Sequence, residues 1–309
     1  DVRVLCLSYV NTDWYIDQMY QKMNESPALP LTLKKSDYTG QKNQVQYLKN
    51  KKLSLKLPVN KQSLVSTGVM SPEEASTTPD YFDWNLTARG SAQRPYLELK
   101  DKLIINLMTN VAKDDWKRPI YFANTVSPSS IIGLRGNLRL EGLAYRVLPK
   151  KYERSKDPYN PYEGGVDADR MYKHLMEDFK YRGLDDPSVN FDENISRMIT
   201  NYHGVFYRLA DYYATASDEA SAAANDTSNV QVIEGRTQMT STELMARAKE
   251  VMNTLDTKVH YSISNPEPYV IVRDGIMFDR LGEKEKAFQF QQLAVSAEMD
   301  ICADCWSST

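Results

Sequence analysis

Little in this chain points to covalent, redox or metal chemistry. Its 309 residues hold 3 cysteines and 3 histidines. Three cysteines do not make a disulfide framework. Cys6 reads as a small apolar group inside an opening strand. Cys302 and Cys305 form a C-x-x-C pair, but a zinc site needs two further ligands, and His174, His203 and His260 show no paired spacing. A thioredoxin-like site would follow a strand at a helix start, whereas this pair trails a helical segment. No metal and no cofactor are expected. Neither sign of charge dominates: 38 Lys and Arg against 41 Asp and Glu leave -3, which is no electrostatic footprint for nucleic acid. There is no apolar run of about 18 residues, the length a bilayer-spanning helix needs. Missing too are G-x-S-x-G, a P-loop, G-x-G-x-x-G and H-E-x-x-H, so no common class of free-standing enzyme is signalled.

What is present is a large core-forming fraction, 41% apolar, and 20 tyrosines against 8 phenylalanines. Tyrosine suits half-wet surfaces, where the ring packs and the hydroxyl stays hydrated. That excess fits a carbohydrate- or peptide-facing surface as well as compositional drift. The length suits one large domain or two ordinary ones.

The first part reads as α/β. Val2, Val4, Leu5 and Leu7 suggest a strand, Asn11-Thr12-Asp13 a helix cap, and Tyr15, Met19 and Met23 a helix packing back on it. A chain that opens on a core strand without a methionine looks like a fragment of something larger. Leu29 to Leu33 and Leu53 to Leu57 alternate as strands do, whereas 66–95 reads as a long irregular excursion. A helix over about Glu98–Ala112 precedes a strand from Ile120 to Thr125, with Pro119 at its start. Leu138 to Leu148 alternates with a phase slip at Gly142, which suggests a bulge. The expected fold is therefore a small, mainly parallel sheet with flanking helices over 1–150. A polar boundary covers 150–166.

From 166 to 309 the period becomes helical. Met171, Leu175 and Phe179 form one stripe, and Ile195, Met198, Tyr202, Phe206, Leu209 and Tyr213 another. Residues 217–240 read as a loop, and Leu244, Ala248, Val251 and Leu255 as a third helix. Tyr269 to Leu281 ends at Gly282, a left-handed cap, and a last helix follows through Phe290, Leu293 and Ala297. The stretch Asp279–Ala287 resembles the inter-helix turn of a tetratricopeptide repeat, so a tetratricopeptide-like all-α subdomain is expected. With at most two such pairs it should lean on the α/β part.

Two constellations could bind or react. Asn11, Asp13, Trp14 and Asp17 follow a strand and open a helix, where α/β folds form ligand crevices. Asp13 and Asp17, four apart, share a helical face and could serve acid–base work or hold a cation. The plainer alternative is that Asp13 simply complements the helix dipole. In the second constellation, Arg118 could grip a carboxylate or phosphate while Trp116 stacks on a sugar. The alternative is that Trp116 caps the sheet and Arg118 pairs with an acid such as Glu141.

Four blocks carry a family resemblance: DVRVLCLSYVNTDWYIDQM at 1–19, NESPALP at 24–30, WKRPIYFA at 116–123 and LEGLAYR at 140–146. In sequence and order they resemble the soluble C-terminal region of a bacterial multi-spanning membrane protein family, formerly a domain of unknown function, related to protein O-mannosyltransferases. The resemblance spans roughly the whole chain and is strongest before about Pro149. It implies an extracytoplasmic location, at the periplasmic face of the inner membrane, with anchoring by upstream membrane helices that carry the sugar transfer. The partners it implies are those helices and a glycan or protein acceptor. By itself this region would bind an acceptor or partner without catalysis. The alternatives are an interaction scaffold, or a self-sufficient sugar-acting enzyme built on Asp13 and Asp17.

Overall fold

The computed structural model describes residues 2–37, 44–153, 164–223, 230–233 and 237–307. The chain forms two compact units. The first comprises Asp1–Phe122, Val126–Leu138 and Arg146–Arg154; the second comprises Ala123–Thr125, Arg139–Tyr145 and Ser155–Thr309.

The first unit opens differently from the sequence expectation. Residues 2–6 form no strand, and Val2 and Val4 are 83% and 80% exposed. β-branched residues favour a strand only where a neighbouring edge accepts their hydrogen bonds. Cys6 is half-buried and lies outside any strand. Helix α1 (Asp13–Met19) forms as expected, but the Thr12 side chain does not cap it. Its hydroxyl donates instead to the Tyr9 carbonyl at 2.7 Å. Leu29, Leu31 and Leu33 alternate inward without forming a strand. They pack, with Tyr15 and Tyr20, on a core of Val10, Ile16, Met19, Leu99 and Leu103.

After β1 (Val45–Tyr47), β2 (Lys52–Pro58) alternates as its sequence demands. The stretch expected to be irregular is ordered. Helices α2 (Lys61–Ser66) and α3 (Pro72–Thr77) lead into β3 (Tyr81–Thr87), which pairs antiparallel with β2 from Lys52↔Thr87 to Pro58↔Tyr81. Ser71 and Glu74 close a reciprocal capping box around Pro72, a signal the sequence carries openly. Phe82, Trp84 and Leu86 bury one face of β3 and Trp84 donates to the Ile132 carbonyl at 2.7 Å. Two short strands, β4 (Arg89–Gly90) and β5 (Pro95–Glu98), pair antiparallel, and β5 also pairs with β1. Helix α4 (Leu99–Lys113) then buries Leu99, Leu103, Ile104, Met108 and Val111.

A four-stranded sheet contains β6 (Tyr121–Ala123), β7 (Leu138–Leu140), β8 (Ala144–Val147) and β9 (Gly165–Val166), in the order β6-β8-β7-β9. Leu138 to Leu148 is not one bulged strand. Gly142, at φ +90°, sits in a turn that reverses the chain between β7 and β8. The mainly parallel sheet is not observed: the pairings of β1, β2, β3, β4 and β5 are antiparallel, and the two-residue match of β7 with β9 is parallel. Antiparallel pairing lets the connections be short, as between β4 and β5, or carry helices that bring the chain back beside its partner, as between β2 and β3.

The second unit is helical apart from short strands. Helix α5 (Ala168–Tyr172) runs into a wider π-type turn over Lys173–Asp178, burying Met171 and Leu175. The stripe expected from Ile195 to Tyr213 is split between α6 (Glu193–Ile199) and α7 (Asn201–Ala223). Ile195 and Met198 face solvent, while Phe206, Leu209 and Tyr213 are buried. Part of the expected loop is α7 itself and the hairpin β10 (Val230–Ile233) and β11 (Thr237–Thr240); 224–229 and 234–236 lie outside the described residues. Helix α8 (Ser241–Lys258) buries Leu244, Ala248, Val251 and Leu255, as their spacing requires. Then come α9 (Tyr261–Ser264), α10 (Pro268–Arg280) and α11 (Lys284–Ser307). Gly282, at φ +79°, makes the turn between the last two. Cys302 and Cys305 fall within α11, and their side chains lie outside the described residues, as does most of the 150–166 boundary.

Candidate functional site

The block around α1 presents aromatic rings, not a crevice of carboxylates. Trp14 is 57% exposed, and Tyr9 is also open to solvent. Trp14 meets Tyr15 edge-on at 5.5 Å between centroids and Tyr9 at 5.8 Å; Tyr9 and Tyr15 are 5.9 Å apart. The three rings therefore hold one another in a fixed arrangement. Asn11 and Asp13 are exposed beside them. Asp17 is engaged by Lys35 across the loop, so it does not form a free pair with Asp13. Among the described residues no three His, Cys, Asp or Glu side chains converge as a metal site requires.

Below the rings a cavity of about 220 Å³ is lined by Arg3, Tyr15, Gln18, Met19 and Ser26 among others. Arg3 reaches the Gln18 carbonyl through one guanidinium nitrogen, while its Nη1 is buried with no hydrogen-bond partner among the described residues. Arg118 donates to the Ala28 carbonyl at 2.8 Å and to Ser26 Oγ and the Pro27 carbonyl at 3.4 Å. It thus clamps the turn that follows α1. Burial first, and then the charge of Arg3, hold the Arg118 pKa below the usual guanidinium value.

Trp116 has a structural role. It is 6% exposed, donates through Nε1 to the Pro58 carbonyl at 2.8 Å and meets Phe82 edge-on. Its φ of +58° follows Asp115 at +57°, two left-handed residues in succession. Such residues cost roughly 1–2 kcal/mol each. The buried indole is what holds the bend. Trp116 and Arg118 thus serve the fold on separate partners and do not form a joint ligand platform.

Glu141, expected as a partner for Arg118, has two arginines of its own. Arg139 Nη2 contacts Glu141 Oε1 at 2.8 Å and Asp167 Oδ2 at 3.2 Å; Arg170 Nη1 contacts Glu141 Oε2 at 2.9 Å. Asp167 also caps α5 through the Arg170 amide. Two cations and two anions balance, with the Arg139 side chain 0% exposed. This buried network ties β7 and the turn after it to the start of α5.

Sequence reasoning missed a second buried network. His203 Nδ1 lies 2.9 Å from Asp274 Oδ2 and its Nε2 lies 2.9 Å from Ser264 Oγ. The ionised carboxylate can only accept, so Nδ1 donates to Asp274. Asp274 also binds Arg273 at 2.8 Å and the Tyr261 hydroxyl at 3.0 Å. Burial raises the Asp274 pKa, but Arg273 and His203 outweigh it and the net shift is downward. Serine, histidine and aspartate in this order resemble a hydrolytic triad. Ser264 is itself buried, however, and no substrate reaches its hydroxyl. The network joins α7, α9 and α10. No spacing signal could have revealed it, since its members come from three helices 61 and 71 positions from His203.

These features define a class: a mixed helix-and-sheet chain with an aromatic surface patch and ion networks sealed inside. Its membership is narrower. The model of TMEM260-associated domain 2 matches residues 1–56 and 51–170, more than half of the chain, and the chain belongs to that family, which is linked to a membrane protein. No curated protein and no solved structure is significantly similar to the chain. Among the described residues no helix is long and apolar enough to cross a membrane.

Proposed function

We propose that this chain is the soluble, extracytoplasmic region of a membrane-embedded glycosyltransferase-like protein, related to protein O-mannosyltransferases. Membrane helices upstream would carry the transfer and anchor the chain at the periplasmic face of the inner membrane. The chain itself binds the acceptor, a glycan or protein, and performs no catalysis alone. The single observation that carries this reading is the pair of exposed rings Tyr9 and Trp14 packed on the half-buried Tyr15, within the family-matched residues. An aromatic face held rigid and half-wet suits the apolar face of a sugar ring, with Asn11 and Asp13 available to its hydroxyls.

Titrating the chain with mannose-containing oligosaccharides should change its tryptophan fluorescence saturably. Trp14→Ala should abolish that change while moving stability by no more than about 0.5 kcal/mol, as for an exposed side chain. A flat titration, or binding that survives the substitution, overturns the reading.

A scaffold reading has its own support. Phe288 and Val295, seven apart on α11, are exposed. On this reading the α7–α8 and α10–α11 pairs are tetratricopeptide-like: Ala287 is buried at the last turn, and a Cβ on Gly275 would come within 3.0 Å of Phe290. Loss of a co-purifying protein in Phe288→Glu, with glycan binding unchanged, would favour it.

A further inference from the structure

The second unit contains a cavity of about 160 Å³ whose charged lining residues are arginines. Arg197, Arg208 and Arg273 line it. Among the described residues no aspartate or glutamate lines it. Two of these arginines are held in place from behind. Arg208 is buried and donates to the Tyr145 hydroxyl at 2.9 Å. Arg273 is fixed by Asp274, and its guanidinium lies 4.5 Å from the centre of the Tyr207 ring. Arg197 is exposed at the rim and pairs with Glu193, also exposed. A pair between two solvated side chains is weak and yields readily to a better anion. Asn124 and Asn201 add neutral donors and acceptors.

Gly204 supplies an independent observation. It lies inside the 23-residue helix α7, where glycine is unfavourable. Nothing lies within 4 Å of the Cβ it lacks, so close packing does not require it. It lines this same cavity, and any larger side chain would enter the space. Cavities of about 150 Å³ accept a single six-membered ring. Oriented guanidiniums recognise phosphate and carboxylate oxygens through paired hydrogen bonds.

We infer that this cavity binds a small organic anion, one hydroxylated ring carrying a phosphate or carboxylate group, between Arg208, Arg273 and the rim Arg197. The phosphate or carboxylate meets the guanidiniums, the ring occupies the space left by Gly204, and Asn124 and Asn201 meet its hydroxyls. This inference is independent of the aromatic cluster on the first unit.

Calorimetric titration of the full chain with glucose 6-phosphate, glucuronate, inorganic phosphate and glucose tests it. Glucose 6-phosphate or glucuronate should bind saturably with Kd on the order of 1 mM or tighter. Glucose should bind at least tenfold more weakly, and added salt should weaken the charged ligands. Gly204→Leu should keep or raise Tm and abolish binding. Arg197→Gln, at an exposed position, should lower affinity several-fold with Tm unchanged. The inference fails if no anion binds saturably, if glucose binds as well as its phosphate, or if both variants bind as the parent does. Should Gly204→Leu fail to fold, the ligand series and Arg197→Gln decide alone.

Discussion

Arg118 of the first unit and the arginines Arg139 and Arg273 of the second meet their partners in opposite ways, although the first unit also holds an ion pair of its own between Arg89 and the buried Asp101. In the first, Arg118 ends on neutral oxygens: two carbonyls and a serine hydroxyl. It gains from hydrogen bonds to a charged donor and keeps part of its hydration. In the second, Arg139 is sealed among Glu141, Asp167 and Arg170, and Arg273 is held against the buried Asp274, which also meets His203. There the cost of burying charge is offset only while every partner is present. The comparison teaches that the turn held by Arg118 tolerates local loosening, whereas the helices joined through Arg139 and Asp274 depend on complete ion networks.

Arg139→Leu should break the contrast most severely. It leaves Glu141 and Asp167 buried with Arg170 alone, and should cost about 3–5 kcal/mol by chemical denaturation. A loss under about 1 kcal/mol would mean that the two acids find other partners or water, and that the network is not a structural necessity.

Asp274→Asn should come next, at about 1.5–3 kcal/mol near neutral pH, because the amide keeps the shape but loses the charge that Arg273 answers. It also sharpens the comparison through pH. The folded Asp274 pKa is depressed below its ordinary 3.8. Its contribution is therefore complete above the unfolded value and disappears as pH falls through the folded one. The wild-type chain should lose stability over that acid range, and Asp274→Asn should lose less there. Parallel acid limbs for the two proteins would contradict the assignment.

Arg118→Met should have the smallest effect, about 1–2 kcal/mol, since the released carbonyls can turn to water. Amide exchange should speed up around Ser26–Ala28 and stay unchanged in α8. A loss as large as that of Arg139→Leu would erase the distinction between an arginine on neutral oxygens and one in an ion network.

Much of the fold was legible where one periodicity ran uninterrupted. The alternation of Leu53, Leu55 and Leu57 and the spacing of Leu244, Ala248, Val251 and Leu255 each report a face that one neighbour covers. The ordered segment after Ser66 was also signalled, by Ser71-Pro72-Glu73-Glu74 and by Phe82, Trp84 and Leu86 at alternate positions. Its polar composition hid those signals. At the candidate site, the sequence placed Trp14 and Asp17 near one another at the start of a helix. It could not say that Trp14 would be open to solvent and Trp116 closed, because both residues follow short polar turns.

Local pattern alone determined α1, α4, α8, α10, the β2 alternation and the left-handed turn at Gly282, because each depends on neighbours a few residues away. Tertiary structure decided the rest. Whether Val2 and Val4 joined a strand depended on a free edge to pair with. Whether the sheets ran parallel or antiparallel depended on how the chain returned between strands. The partners of Glu141, the burial of His203 with Asp274 and Ser264, and the three arginines around Gly204 all join positions distant in the chain. Charge and hydrogen-bonding capacity are visible in a sequence, but which groups satisfy one another is settled only when folding removes them from water.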